Sequence, residues 1–349
     1  MRSRSPRPFR SFARAGLVAG AAVAALVVAG CSSGGSDSAS TEGGSEGTTS
    51  LSFQLDWVKN SQFSGFFEAD AEGYYAEEGL DVEFLDGGDV ASTAAVIAGG
   101  GAQIGFVSNM ARYMDALDTG ADLVAVGALY QVSPAGLMTL PDRAVESVED
   151  LEGLRIGTDE AGTVDIDTLF RVNDLEPNWQ DVRVGYDAAP LFDGQVDAYY
   201  AYLTNQPVAY ELQGIDFNTV TFADLGFESY AGLIVTTREF LESNREAVVS
   251  FVRASTKGWQ DAMDDPSAAV DLTMTEYGPD LGLESESELA TLEAQVPLMV
   301  SAYTEANGLF ALDAEAIEGP MYAALTASGR ESLPEVSEVF DTSIVADAR

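Results

Sequence analysis

Between residues 51 and 236, short apolar runs alternate with segments of helical spacing, and that alternation restricts the chain to α/β architectures. Leu51–Trp57 (LSFQLDW) alternates apolar and polar residues as a half-buried strand does. Phe66–Tyr75 has helical spacing and ends near Gly79. Leu80–Leu85 reads as a strand, followed by Asp86-Gly87-Gly88-Asp89 and a helix through Ile97. Ile104–Val107 is a short buried strand, Ser108 the expected N-cap of a helix over Asn109–Leu117, and Leu123–Tyr130 a further apolar strand. Such βαβ units predict a parallel sheet.

The pattern then restarts. Strands are expected at Gly136–Leu140, Leu154–Gly157, Val182–Tyr186, Val196–Tyr202, Thr219–Phe222 and Gly232–Thr236. Helices are expected at Val148–Leu151, from about Thr163 to Val172, and near Gln206–Gln213. Beyond Thr236 the chain is helical, with Val248, Val252, Trp259 and Met263 forming one apolar stripe. Two α/β lobes in series predict a cleft between them, with ligand groups beyond the carboxyl ends of the strands. The boundaries expected are 51–133 with 232–349 for the first lobe and 134–231 for the second.

The N-terminus has a different character. Five Arg and no acid lie within residues 1–14, followed by an uncharged apolar run from Ala15 to Gly30 and then Cys31. A basic region before a short apolar one predicts a secretory signal peptide over 1–30. Sixteen residues are short for a bilayer span, which needs about 20. Val28-Ala29-Gly30-Cys31 resembles the bacterial lipobox, which implies lipidation of Cys31 and a lipid-anchored protein on the extracytoplasmic face of the cell membrane. An ordinary signal peptide or an N-terminal membrane helix is the alternative. Residues 31–50, rich in Ser and Gly, predict a flexible tether.

Composition excludes much chemistry. With no His there is no His general base, Ser-His-Asp triad or His metal ligand, and one Cys leaves no thiolate metal cluster. A net charge of −40 repels phosphate backbones, so nucleic acid is not an expected partner. Asp165 and Asp167 suit a first helical turn rather than a metal site, and Glu284–Glu288 is expected to be a solvated face.

Several motifs in order carry a resemblance. Asp56-Trp57 with Asn60, then FFEADAEGYYAEEGL over Phe66–Leu80, is followed by DLEGLRIG over Asp150–Gly157 and GQVDA over Gly194–Ala198. Asn205-Gln206-Pro207, Gln213-Gly214-Ile215-Asp216 and Asp264-Asp265-Pro266 complete the series. Together they resemble the ABC-importer solute-binding proteins of the thiamine-pyrimidine-precursor, riboflavin and alkylsulfonate branch, which includes the yeast-type pyrimidine synthase. The resemblance implies a two-lobed type II periplasmic-binding-protein fold with a hinged cleft. It also implies a monomer that hands a small aromatic heterocycle to an ABC permease, without catalytic residues, metal or cofactor.

On that resemblance, Trp57, Phe63 and Tyr202 are candidates for stacking on the ligand, and Asp56, Asn60, Asn109, Asn205 and Gln206 for orienting its polar edges. Asp159 and Thr163 belong to GTDEAGT, a strand-to-helix turn whose backbone N–H groups suit a polar ligand group. Each has a structural alternative: a core Trp, the start of a buried helix at Phe63, an ordinary turn, and helix capping at Asn205 and Gln206. In the synthase, a His supplies pyrimidine atoms and a Lys holds pyridoxal phosphate; by position these fall on Phe63 and Glu72, and the Cys-rich iron-binding stretch has no counterpart. An alkylsulfonate binder, a ligand-sensing lipoprotein and a carboxylate-only hydrolase are the other readings.

Overall fold

The computed structural model describes residues 48–88 and 92–349. The expected signal peptide, Cys31 and nearly all of the tether lie outside the described residues. Among the described residues, ten strands form two sheets of five. They are β1 (Thr49–Gln54), β2 (Leu80–Leu85), β3 (Ile104–Asn109), β4 (Leu123–Tyr130), β5 (Ala135–Thr139), β6 (Arg155–Thr158), β7 (Gln180–Arg183), β8 (Ala198–Tyr202), β9 (Asn218–Thr221) and β10 (Ala231–Thr237). The strand orders are β2-β1-β3-β10-β4 and β7-β6-β8-β5-β9.

The sheets are mixed, not parallel as the βαβ pattern predicts. β1 runs parallel to β2 and β3, but β10 is inserted antiparallel between β3 and β4. In the second sheet β5 runs antiparallel to both β8 and β9. The reason lies in the crossings. β4 leaves the first sheet at its carboxyl end and the chain enters the second sheet as β5; it returns as β10. A strand that starts from the crossing side opposes the strands that end there. The two crossing segments are joined where the Ser133 N–H donates to the Ser229 carbonyl at 3.1 Å.

Strands covered on both faces carry apolar residues without alternation. All eight residues of β4 are buried, and so are the first six of β10. One face of the first sheet packs Phe53, Phe66, Phe251 and Trp259; the other packs Val107, Tyr113, Leu233 and Phe340. The second sheet is flanked by Ile156, Leu169 and Phe170 on one side and by Met138, Leu191 and Tyr199 on the other.

Helices Ser64–Ala71 and Arg245–Asp264 cross with their backbones in contact. A Cβ on Gly258 would lie 2.2 Å from the Gly65 carbonyl oxygen, and one on Gly65 would lie 2.2 Å from the Trp259 indole. Two glycines therefore set this crossing. The Phe66 ring meets Trp259 edge-on, centroids 5.7 Å apart.

Some local expectations shift. The helix expected over Phe66–Tyr75 is broken into Ser64–Ala71 and Tyr74–Glu77, because Gly73 takes a left-handed φ of 79°. Asn109, not Ser108, caps helix Met110–Asp118, its Oδ1 accepting the Arg112 N–H at 2.9 Å. Helix Glu160–Val172 starts three residues early because Asp159 caps it. The strand expected at Val182–Tyr186 ends at Arg183. Glu288 is buried rather than solvated, its Oε2 accepting the Ser61 N–H at 2.8 Å.

Candidate functional site

The carboxyl ends of β1 and β3 open on a cavity of about 900 Å³, lined in part by Asp56, Trp57, Ser108 and Arg112. Gly87 and Gly88, at the exit of β2, also line it. A side chain at 87 would collide with the Leu55 carbonyl oxygen at 2.3 Å, so this loop lies directly on the backbone before Asp56.

Asp56 is the polar centre of this region. Its Oδ1 is buried and has no hydrogen-bond partner among the described residues. Burial pushes its pKa up to about 7; its own backbone N–H and the Arg112 guanidinium act in the opposite direction. A buried polar atom without a partner costs about 1–3 kcal/mol, which a ligand donor would recover. Next to it Trp57 is 49% exposed, a large aromatic face left outside the core. The core-Trp alternative therefore does not describe Trp57.

The second lobe contributes the end of β8. Tyr202 sets its ring edge-on to Tyr130 at the end of β4, with centroids 6.4 Å apart and planes at 81°. Burial pushes the Tyr202 phenol well above its ordinary pKa, and the neighbouring Tyr130, Asp56, Tyr200 and Tyr186 add to the push. Gln206 is buried and its Oε1 accepts the Tyr202 N–H at 2.9 Å, holding helix Gln206–Glu211 to the strand. Asn205 precedes that helix without making a side-chain cap bond, and faces the Tyr186 hydroxyl. Tyr130 is fixed from behind. Its hydroxyl donates to Gln295 Oε1 at 2.8 Å, and Gln295 Nε2 donates to the Ser61 carbonyl at 3.0 Å.

The strand-to-helix turn is satisfied internally. Asp159 Oδ1 accepts the Gly162 N–H at 2.8 Å, which takes one of the N–H groups expected for a ligand. The Thr163 hydroxyl lies 3.0 Å from that of Thr158 and donates to Asp181 at 3.1 Å. Close by, the Tyr200 hydroxyl donates to Asp165 Oδ2 at 2.9 Å; burial pushes the Asp165 carboxyl up to about 6. Asp167 accepts from the Trp179 indole N–H and pairs with Arg171, a structural role.

The structure thus brings Asp56, Trp57, Tyr202, Asn205 and Gln206 to one region. Asn60 Oδ1 accepts the Gln62 N–H and caps the turn Ser61–Phe63. Asn109 caps its own helix. Phe63 corrects an expectation: it is wholly buried, edge-on to Phe106 at 5.2 Å, and forms no cleft wall. Four contributors escaped the reading of the sequence: Arg112, Ser108, Tyr130 and Tyr186. Tyr186 is 64% exposed just past β7, and an aromatic at a strand's carboxyl end is the signal that marks it.

Pyridoxal phosphate chemistry does not fit these residues. The position of the synthase Lys holds Glu72, an exposed acid capping a helix, and that of its His holds the core residue Phe63. Among the described residues, no three His, Cys, Asp or Glu side chains gather as a metal-binding set. No helix among them is long and apolar enough to cross a membrane.

The profile of the family described as NMT1/THI5 like matches residues 60–269. The riboflavin-binding protein RibY of Chloroflexus aurantiacus is 27% identical over 267 residues, covering 74% of this chain and 75% of that protein. The formylaminopyrimidine-binding protein of Halalkalibacterium halodurans is 23% identical, covering 66% and 71%. The 4-amino-5-hydroxymethyl-2-methylpyrimidine phosphate synthase of Schizosaccharomyces pombe is 25% identical, covering 63% and 67%. Among solved structures, the putative periplasmic sulfonate-binding protein SsuA of Methylobacillus flagellatus superposes with a TM-score of 0.63 at 17% identity, covering 86% of this chain and 94% of that one. The likeness shows the two-lobed type II periplasmic-binding-protein fold.

Proposed function

This chain belongs to the NMT1/THI5-like family, and on that premise we propose that it is a solute-binding lipoprotein of an ABC importer. Its ligand is a small aromatic heterocycle of the riboflavin or thiamine-pyrimidine-precursor kind. One observation carries the reading: an exposed indole, Trp57, stands beside the buried, unpaired Oδ1 of Asp56 at the carboxyl ends of the strands. A planar ring stacked on Trp57 would bring its polar edge to Asp56, with Tyr202, Tyr186 and Asn205 approaching from the other lobe.

Binding is by lobe closure about the paired crossing segments at Ser133 and Ser229, and the closed form is what a permease reads. No bond of the ligand is made or broken. The lobes divide at 133/134 and 231/232, and Cys31 carries the lipid that holds the monomer on the extracytoplasmic face of the membrane. The names of the two binding-protein relatives support this reading, and the misfit of Phe63 and Glu72 to the synthase supports a non-catalytic role.

A thermal-shift panel of riboflavin, aminopyrimidines, thiamine and alkylsulfonates tests the ligand class. A ligand at 100 times its Kd stabilises by about 2.7 kcal/mol. No shift with any heterocycle, alongside turnover of one of them, overturns the proposal. Cys31→Ser tests the anchor: the variant leaves the membrane fraction if the anchor is lipid on that thiol, and stays if it is not.

A further inference from the structure

We propose that Asp56 selects heterocycles presenting an N–H donor edge (amino, lactam or imide) and that binding such a ligand expels a proton from the site. The inference rests on the heterocycle-binding reading above and adds to it the ligand's edge chemistry and a proton linkage.

The argument starts from an acceptor that the fold leaves unmet. Asp56 Oδ1 is buried without a partner among the described residues although the residue lines the cavity, which leaves it open to a donor from outside the chain. A sulfonate or other anion carries only acceptors and would bring like charge to a carboxylate, whereas an N–H edge supplies the donor. The described groups around it do not supply it. Tyr130 donates to Gln295, and Asp86, on the loop packed against Asp56, accepts the Gly88 N–H with its own Oδ1. Arg112 on helix Met110–Asp118, Tyr130 and Tyr202 are the charged and titratable groups that act on Asp56 or feel it. Arg112 is the cation among them and favours the carboxylate form.

Burial holds the Asp56 carboxyl near a pKa of about 7, so near neutrality a large share of it carries a proton. A hydrogen bond from the ligand's N–H favours the carboxylate, and the proton leaves as the ligand enters. Affinity is then full above pH 7 and falls about tenfold per pH unit below it, as long as the ligand itself does not titrate.

The test is calorimetric titration of the purified full chain with riboflavin, whose ring N–H is an imide, and with its N3-methyl derivative. The pH runs from 5.5 to 8.5 in buffers of different ionisation enthalpy. The expected result is proton release on binding, about tenfold weaker binding per unit below pH 7, and loss of at least tenfold in affinity on N-methylation. Asp56→Asn, which keeps an amide oxygen as acceptor, should bind with no pH dependence. A pH-independent wild-type affinity, equal binding of the methylated flavin, or tight binding of an alkanesulfonate overturns the inference and leaves a heterocycle-binding function standing. If riboflavin fails, 4-amino-2-methylpyrimidine against its N,N-dimethyl form replaces the pair, scored by methylation loss and by Asp56→Asn against wild type at one pH. Failure of every heterocycle overturns both.

Discussion

Tyr130 and Tyr202 meet edge to face across the two lobes, with ring centroids 6.4 Å apart. One ring ends β4, where the chain leaves the first sheet, and the other ends β8 in the second. An edge-to-face pair is worth about 0.5–1.5 kcal/mol beyond its buried area, enough to bias a hinge without locking it.

Tyr202→Leu should therefore loosen the unliganded lobes while leaving each sheet intact. Small-angle scattering should show a larger radius of gyration with an unchanged far-ultraviolet circular dichroism spectrum. An unchanged radius would mean that this ring pair does not hold the lobes together.

Trp57→Ala should weaken ligand binding by tenfold or more and change unfolding stability by no more than about 0.5 kcal/mol, the usual range for a surface site. Of the three Trp, Trp179 donates to Asp167 and Trp259 is wholly buried, so quenching of fluorescence by ligand should disappear in this variant alone. A loss of several kcal/mol would instead assign Trp57 to the core.

Gly258→Ala should destabilise the first lobe. The new Cβ would lie 2.2 Å from the Gly65 carbonyl oxygen, which is backbone and cannot swing aside. Overpacking of this kind costs about 1–3 kcal/mol, more than the helix propensity gained from Ala. A lowered urea midpoint with an unchanged slope is the expected observation.

Asp165→Asn should stabilise the protein at high pH and not at low pH. The folded carboxyl has a pKa of about 6 against an ordinary 3.8, so the native state keeps its proton longer than the unfolded chain. Stability from this group therefore falls as pH rises from about 4 to 6 and is constant above that. The amide keeps an acceptor for the Tyr200 hydroxyl and removes the charge. The gain should be about 2–3 kcal/mol at pH 8 and near zero at pH 3, measured by urea unfolding of both proteins.

How much of this was legible in the sequence depends on the range of the interaction. β4 appears where its apolar run predicts it, and the buried stripe of Val248, Val252 and Trp259 lies on one helix as its spacing predicts. Asp56 and Trp57 also stand out in sequence, because a strand that stops at a charge and an indole exposes both at its end. Phe63 stays open between cleft wall and core in the sequence for a physical reason: a ring at the start of a helix has the same spacing whether it faces a cleft or Phe106. Glu288 in a run of acids has solvated neighbours, and only the Ser61 N–H, 227 positions away, makes its burial affordable.

The sequence alone determined the alternation of strands and helices, the division into two series, and the residue absences that separate this chain from a catalytic relative. Each of these depends on which residues are present or on spacings of two to four residues. Only the tertiary structure decided that β10 lies antiparallel between β3 and β4, that Tyr130 faces Tyr202, and that the Asp56 Oδ1 is buried without a partner. Those outcomes depend on contacts between segments about 70 to 130 residues apart, and no local spacing encodes which distant segment arrives or which polar atom it leaves unpaired.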